Sequence, residues 1–218
     1  MRILNRLFLI GIAALTLAGS GTAATVVRVG EFRSLSLHQG GHVVVRYGDV
    51  QRVSILTADA QYTHIRLGDG QQLIIEREGK CPRGYRVDVE VVTPVLSGVS
   101  VSNGGTVQVL GTFPAQPSIA ASVEQGGTID IRSIPAGTVD ASVESGGRIF
   151  TTVRESLRAS VHSGGIVSYL GRPKSIRKSI VEGGVVAYGD AGDWDAAIPP
   201  VAPIPPLPPI PPVPPVSD

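Results

Sequence analysis

Apolar and polar residues alternate in a pattern that recurs five times between residue 96 and residue 188. Each copy consists of an alternating run, a pair of glycines and a second short alternating run. Aligned on the glycines, the copies read SGVSVSNGGTVQV, IAASVEQGGTIDI, VDASVESGGRIFT, LRASVHSGGIVSY and IRKSIVEGGVVAY. Their period of roughly 18–22 residues is typical of repeat proteins, whose copies bury their apolar faces against each other.

Alternation with a period of two places every second side chain on the same face of a strand. Three columns of inward-facing residues therefore predict the core. The first column contains Val101, Val123, Val143, Val161 and Ile180. The second column contains Val99, Ala121, Ala141 and Ala159, and is interrupted by Lys178. The third column follows the glycines and contains Val107, Ile129, Ile149, Val167 and Val186.

The glycine pairs predict corners, because glycine reaches positive φ without steric cost. They are Gly104, Gly105, Gly126, Gly127, Gly146, Gly147, Gly164, Gly165, Gly183 and Gly184. A second corner is expected at turn residues such as Gly111, Pro114, residues 135–137 and residues 171–173. The expected fold is all-β, a right-handed parallel β-solenoid with about 20 residues per coil, since crossovers between parallel strands are nearly always right-handed.

Residues 25–95 also have the composition of strands but are less regular. Residues 34–43 form a weak sixth copy, 64 residues before the next clear one. The stretch between them is compatible with degenerate turns of the same coil and with a separate capping sheet. The predicted divisions are therefore an N-terminal strand-rich part at 25–95 and regular repeats at 96–190.

One serine stands four residues before the glycine pair in every copy. The column contains Ser36, Ser100, Ser122, Ser142, Ser160 and Ser179. Stacked strands would place these hydroxyls about 4.8 Å apart, within reach of hydrogen bonds along the column. We expect a structural ladder, because a serine nucleophile requires a base at hydrogen-bond distance and no column supplies one.

The outward columns on either side of the serines define a candidate binding face. It contains Glu124, Glu144, Asp140, His162, Arg158 and Arg177. Stacked Glu124 and Glu144 would repel each other, so they either extend into water or, with Asp140, hold a cation such as calcium. Asp140 beside Arg158 and Glu144 beside His162 would compensate part of that charge. No catalytic residue, metal ligand or cofactor is expected.

Composition limits the compartment and the partners. Residues 1–24 have the basic start, apolar middle and small-residue exit of a secretory signal peptide, and Ser20 stands where a lipoprotein signal would have its cysteine. Loss of Arg2 and Arg6 with that segment leaves 17 basic and 18 acidic side chains and no membrane span. This nearly neutral balance of charges does not favour the binding of nucleic acid. Cys81, the single cysteine, cannot form an internal disulfide.

Residues 191–218 are predicted to be an acidic linker followed by a proline-rich tail. The linker holds Trp194, the only tryptophan. Every third residue of the tail is a branched apolar one: Ile198, Val201, Ile204, Leu207, Ile210, Val213 and Val216. Polyproline II has three residues per turn, so these side chains would line one edge of a rod roughly 60 Å long. The rod is either a spacer or a docking element.

The order of short motifs resembles a known family. The chain has Glu31–Leu37, then the His42–Tyr47 strand with Gly48 and Asp49, then Gly68-Asp69-Gly70 before the Leu73–Ile75 strand, and then Val87–Leu96 ahead of the Ser-Val-x-x-Gly-Gly repeats. Across about residues 26–190 this is similar to the family described as the putative auto-transporter adhesin head GIN domain. The resemblance implies an exported bacterial domain, related in fold to β-helical adhesin heads, and transfers no catalytic residues. The proline-rich tail departs from it.

These features predict a non-enzymatic cell-envelope protein that presents a repetitive polar face to a cell-surface glycan or an envelope protein. The expected location is the periplasm or the surface of a Gram-negative bacterium. One alternative is a scaffolding protein tethered through the tail. Another is a polysaccharide-cleaving enzyme, which five Tyr, four Phe and one Trp do not favour, since sugar-binding grooves use aromatic platforms. The sequence leaves the ligand and the oligomeric state open.

Overall fold

The computed structural model describes residues 24–57, 60–77 and 79–189. In this part of the chain fifteen β-strands form one sheet, accompanied by two short 3-10 turns, Ala60–Tyr62 and Asp69–Gln71. The prediction of an all-β chain is confirmed. The predicted signal peptide up to residue 23 and the predicted linker and tail lie outside the described residues.

The strands fall into an irregular group and a repeated group. The irregular group comprises β1 (Thr25–Val27), β2 (Ser34–His38), β3 (His42–Tyr47), β4 (Arg52–Ile55), β5 (Thr63–Gly68), β6 (Gln72–Arg77) and β7 (Asp88–Thr93). The repeated group comprises β8 (Gly98–Ser102), β9 (Thr106–Leu110), β10 (Gln116–Gln125), β11 (Thr128–Ser145), β12 (Arg148–His162), β13 (Ile166–Leu170), β14 (Ser175–Val181) and β15 (Val185–Tyr188).

The strands are paired in two rows that face each other across the core. The first row runs β5–β6–β2–β8–β10–β11–β12–β14, and the second runs β1–β4–β7–β3–β9–β11–β12–β13–β15. The long strands β11 and β12 belong to both rows, and so they join the rows into one sheet. Between the rows lies a core of fully buried side chains such as Leu37, Val101, Val123 and Ile149.

The prediction of a regular right-handed parallel β-solenoid is wrong. Three pairs of strands are antiparallel, β1 with β4, β4 with β7 and β5 with β6, so the sheet is mixed. The fold is a nearly closed, barrel-like mixed sheet. Part of the physical reason is the tight turn Asp69–Gln71, in which Gly70 has φ +65°. Such a short connection can only reverse the chain, because parallel neighbours need a long crossover.

A second departure lies inside the repeats. Residues 135–137, expected to turn a corner, lie within the eighteen-residue strand β11. The register between β11 and β12 shifts there, between Ile131 and Pro135 and again between Ala136 and Thr138. A bulge bends a strand without ending it, so the chain changes direction while its ladder continues. The expected division of each copy into short strands separated by two corners therefore does not hold for β11.

The glycine corners stack on each other. Gly147 has φ +100°, and a Cβ atom added there would lie 2.6 Å from Cγ1 of Val123 and 3.0 Å from the carbonyl oxygen of Gly127. Beside it, the amide of Arg148 donates to that same carbonyl oxygen over 2.9 Å. The second glycine of each pair is therefore needed both for its backbone angle and for the close approach of the previous copy.

Candidate functional site

Six serines lie in register on neighbouring strands of the first row. Ser36 is paired with Ser100, Ser100 with Ser122, Ser122 with Ser142, Ser142 with Ser160 and Ser160 with Ser179. They alternate with buried residues such as Ala121 and Val123, and so they face away from the core. Ser36 is buried, the next three are half-buried, and Ser160 and Ser179 are exposed.

The buried end of the serine column is a hydrogen-bonded network around His38. The Ser100 hydroxyl donates to Ser36 Oγ over 2.7 Å, and Ser36 Oγ lies 2.8 Å from His38 Nε2. The other ring nitrogen, Nδ1, lies 2.9 Å from Ser102 Oγ. Because a hydroxyl both donates and accepts, both tautomers of His38 satisfy the network: the ring nitrogen that carries the hydrogen donates to its serine, and the other accepts from its serine.

No column of the sequence pattern supplies a base for the serines. In the structure the weak copy does supply one, His38. His38 stands two residues after Ser36, and this spacing, which puts both side chains on the same face of a strand, is the signal in the sequence. A serine hydrogen-bonded to histidine is the arrangement that activates nucleophiles. Ser36, however, is only 4% exposed, and a substrate has no access to its hydroxyl. The geometry therefore fits a structural network.

A groove with a volume of about 650 Å³ lies along the column, beyond this network. Its lining includes five serines, and also the residue that precedes each of them on its strand: Ser100, Ser122, Ser142, Ser160 and Ser179, with Val99, Ala121, Ala141, Ala159 and Lys178. The next outward column forms one side, and its members are Gln72, Ser34, Gly98, Ala120, Asp140, Arg158 and Arg177. Because Gly98 and Ala120 have the smallest side chains, the middle of that side is low. Charged side chains stand only towards the C-terminal end.

The groove brings together three of the six candidate face residues. Asp140 is in register with Arg158, and its Oδ1 lies 3.6 Å from Nη1 of that arginine. Arg158 is in turn in register with Arg177. Both members of the ion pair are more than half exposed, so its contribution to stability is small. Two in-register arginines next to one carboxylate leave a net positive end on the groove.

The other three candidates lie outside the groove lining. Glu124 and Glu144 are exposed, at neighbouring positions flanked by in-register pairs. His162, expected beside Glu144, follows Val161, which is in register with Val143, and its Nε2 lies 3.9 Å from Oε2 of Glu182. Glu182, which the sequence pattern did not single out, also accepts a hydrogen bond from Ser163 over 2.8 Å. Among residues 24–57, 60–77 and 79–189, no group of three metal-ligating side chains is placed to hold an ion.

Among the described residues with shifted pKa values are Glu76 and His42. Arg66 donates a hydrogen bond to Glu76, and this bond, helped by His64, holds the pKa of that carboxyl below its usual value. Burial lowers the pKa of the His42 imidazole below 6.5, against the opposing effect of the Asp88 carboxylate 3.9 Å away. Both groups lie outside the groove lining, and so their shifts concern stability rather than binding.

Two further carboxylates are buried in the second row. Glu90 is in contact with Arg46, whose Nε lies 3.1 Å from its Oε1. Asp130 accepts hydrogen bonds from Arg132, whose guanidinium also lies 5.3 Å from the centre of the Phe150 ring. Each carboxylate is thus paired with an arginine where it is buried. Such pairing offsets part of the cost of removing these groups from water.

In the described residues, no helix has the length and apolar character needed to cross a membrane. A family model described as "Putative auto-transporter adhesin, head GIN domain" matches residues 31–120 and 116–173, which confirms the resemblance in the motifs. No curated protein matches the chain.

Two putative adhesins are among the solved structures that are similar to the chain. A putative adhesin from Parabacteroides distasonis is 11% identical with a TM-score of 0.51, and the match covers 77% of this chain and 96% of that one. A putative adhesin from Bacteroides fragilis is 18% identical with a TM-score of 0.49, and the match covers 76% of this chain and 94% of that one. At 11% identity the likeness to the Parabacteroides distasonis protein concerns the fold alone.

Proposed function

Since the chain belongs to the family described as "Putative auto-transporter adhesin, head GIN domain", we propose that it is a non-enzymatic envelope protein that binds an extended cell-surface glycan in its serine-lined groove. In this view residues 1–24 are a secretory signal, residues 25–190 form the binding domain and residues 191–218 form a tail. The binding domain acts in the periplasm or at the cell surface of a Gram-negative bacterium.

The observation that carries the proposal is the row of five in-register serines among the residues that line the groove. A hydroxyl both donates and accepts hydrogen bonds, and so do the hydroxyls of a sugar chain. Each such bond contributes only about 0.5–1.5 kcal/mol net, and so a single serine would bind weakly. Five serines repeated about every 4.8 Å can act together on a ligand that is itself extended and repetitive.

The charged end of the groove favours a glycan with acidic groups. Arg158 and Arg177 are stacked on adjacent strands, and in that geometry both can donate to one carboxylate, sulfate or phosphate. Hydrogen bonds between ionised partners are about twice as strong as neutral ones. Asp140 already forms an ion pair with Arg158, whereas Arg177 is not part of that pair. We therefore place the acidic substituent of the ligand nearest Arg177.

The chemistry of the groove supports binding rather than cleavage. Glycoside hydrolysis normally uses two carboxyl groups on opposite sides of the scissile bond. Among the described residues that line the groove, Asp140 is the only carboxylate, and it is paired with Arg158. The Ser36–His38 pair lies at the buried end of the column, where a sugar chain cannot reach it.

The test is a glycan array probed with the purified protein and with two tyrosine variants. Ser122→Tyr adds a large ring to the groove lining, while Ser118→Tyr adds the same ring at an exposed position of the same strand outside the groove lining. We expect the parent and Ser118→Tyr to retain the same glycans, preferring acidic ones, and Ser122→Tyr to lose at least tenfold in affinity. An array with no bound glycan, or equal binding by both variants, overturns the proposal.

A further inference from the structure

The C-terminal end of the fold is an open apolar face. Ile176, Ile180 and Tyr188 are 39%, 46% and 64% exposed. They are in register with Leu157, Val161 and Tyr169, whose side chains are at most 7% exposed. In every earlier copy the following copy covers these inward positions. In the described part of the chain, nothing follows β14 and β15 to cover them.

Lys178 closes part of this face. It occupies an inward position, in register with Ala159, and its ammonium donates to the carbonyl oxygen of Val186 over 2.8 Å. The same nitrogen lies 5.8 Å from the centre of the Tyr169 ring. A charge in an inward column is one device that discourages further strands from adding to an edge. The side chains on either side of Lys178 remain uncovered.

The chain leaves the described fold at the rim of this face. The Gly189 amide donates to the carbonyl oxygen of Tyr169 over 3.3 Å, and the carbonyl oxygen of Gly189 accepts from Ser168 Oγ over 3.0 Å. These two bonds fix the point from which residues 190–218 continue. That segment begins with three aspartates, Asp190, Asp193 and Asp195, opposite in charge to the Arg177 and Lys178 side chains of the edge strand β14.

We propose that residues 190–218 fold back and cover the open end, with the apolar residues of the tail packed on Ile176, Ile180 and Tyr188. A polyproline II rod places every third side chain on one edge, which matches the period of the apolar residues from Ile198 to Val216. At about 3.1 Å per residue that stretch reaches roughly 60 Å. The seven residues of β14 span only about 23 Å, and so part of the tail suffices.

The tail is a better occupant than another strand for a chemical reason. Proline has no N–H donor, so a proline-rich segment can accept bonds from the β14 and β15 edges but offers no complete ladder to a further strand. It therefore ends the sheet as well as covering the apolar face. A second copy docked on the same edges would leave the acidic and apolar pattern of residues 190–218 unused. This inference does not rest on the proposed glycan binding, although both place an acidic group near Arg177.

Trp194 reports on the tail directly, because it is the only tryptophan. Acrylamide quenching of its fluorescence is measured in the full chain, in Ile180→Asp and in Val181→Asp, a matched control that is 47% exposed on the outward face. We expect Ile180→Asp to raise the quenching constant at least twofold and Val181→Asp to leave it unchanged. Tyr188→Ser, at the other side of the face, is expected to act like Ile180→Asp.

Truncation after Gly189 supplies an independent readout. We expect the truncated protein to melt at a lower temperature and to associate with rising concentration in analytical ultracentrifugation, whereas the full chain stays monomeric. A full chain whose tryptophan is quenched as readily as a free peptide of residues 190–218 overturns the proposal. So does a full chain that dimerises through this face and becomes monomeric in Ile180→Asp, because a second copy is then the occupant.

Discussion

The hydroxyl of Ser100 donates a hydrogen bond to the hydroxyl of Ser36 over 2.7 Å, although the two residues are 64 positions apart in the chain. This bond joins the irregular N-terminal part to the first clear repeat along the same serine column. It also continues into His38, whose two ring nitrogens contact Ser36 and Ser102. The column is thus anchored at one end by a closed network, and its open end is free to face a ligand.

The first prediction concerns this anchor. Ser36→Ala removes a buried hydroxyl and leaves the half-buried Ser100 hydroxyl and the Nε2 atom of His38 without that partner. We expect the free energy of unfolding to fall by about 1–2 kcal/mol, the cost of an unsatisfied buried polar group. Ser179→Ala, at the exposed end of the same column, is the control and should change it by less than about 0.5 kcal/mol. Urea unfolding measures both, and equal effects would contradict the network's role.

The second prediction separates the two glycines of one corner. Gly146 and Gly147 both have positive φ, but only at Gly147 would a Cβ meet the previous copy. Gly147→Asn should cost about 3 kcal/mol or more, since overpacking adds to the backbone strain. Gly146→Asn has nothing within 4 Å of the new Cβ and should cost about 1 kcal/mol, because asparagine tolerates this conformation. Similar melting temperatures for the two variants would refute the stacked corner.

The third prediction is a pH dependence of stability. Burial lowers the pKa of His42 in the folded chain, so the unfolded chain binds its proton at a higher pH. The contribution of His42 to folding stability is therefore fully present above its unfolded-state pKa of 6.5. It is lost as the pH falls below that value. We expect the urea concentration at half-unfolding to decrease as the pH is lowered from about 7.5 to about 5.5. In His42→Gln this decrease should be less steep. Thr106→Val, at the in-register neighbour, is a control that should keep the parental slope.

The fourth prediction concerns the charged end of the groove. Arg177→Ala should weaken binding of an acidic glycan about tenfold and reduce the dependence of the affinity on salt, because a charge-assisted bond is lost. Arg172→Ala removes the same charge outside the groove lining and should change neither quantity. Titration calorimetry at low and at physiological ionic strength provides both values. If the two variants behave alike, the effect belongs to net charge and not to Arg177.

The repeated part of the fold could be predicted from the sequence as far as its alternation is strict. Ser122 and Ser142 stand at the same place in their copies, and in the structure they are paired in register. The period also placed Val123 and Val143 in the core, where both are buried. Such columns can be predicted from the sequence because a shift of the strand register by one residue would move every apolar side chain to the solvent face.

The remainder depended on contacts that no local pattern encodes. The antiparallel pairing of β5 with β6 follows from one tight turn at Gly70, and the continuity of β11 follows from a bulge at residues that read as a corner. Lys178 breaks a column by residue type and His38 does not, yet the role of each appears only when its partner is in place, Val186 for Lys178 and Ser102 for His38. The groove itself results from small side chains in a neighbouring column.

The central claim is that the serine column lines a ligand-binding groove, and an NMR titration with an acidic glycan fragment tests it most directly. We predict that the backbone amide signals of Ser122, Ser142 and Ser160 shift progressively with ligand, while those of Gln108 and Asp130 in the second row stay in place. Shifts confined to the second row, or no shifts with any glycan that the protein retains, would contradict the account.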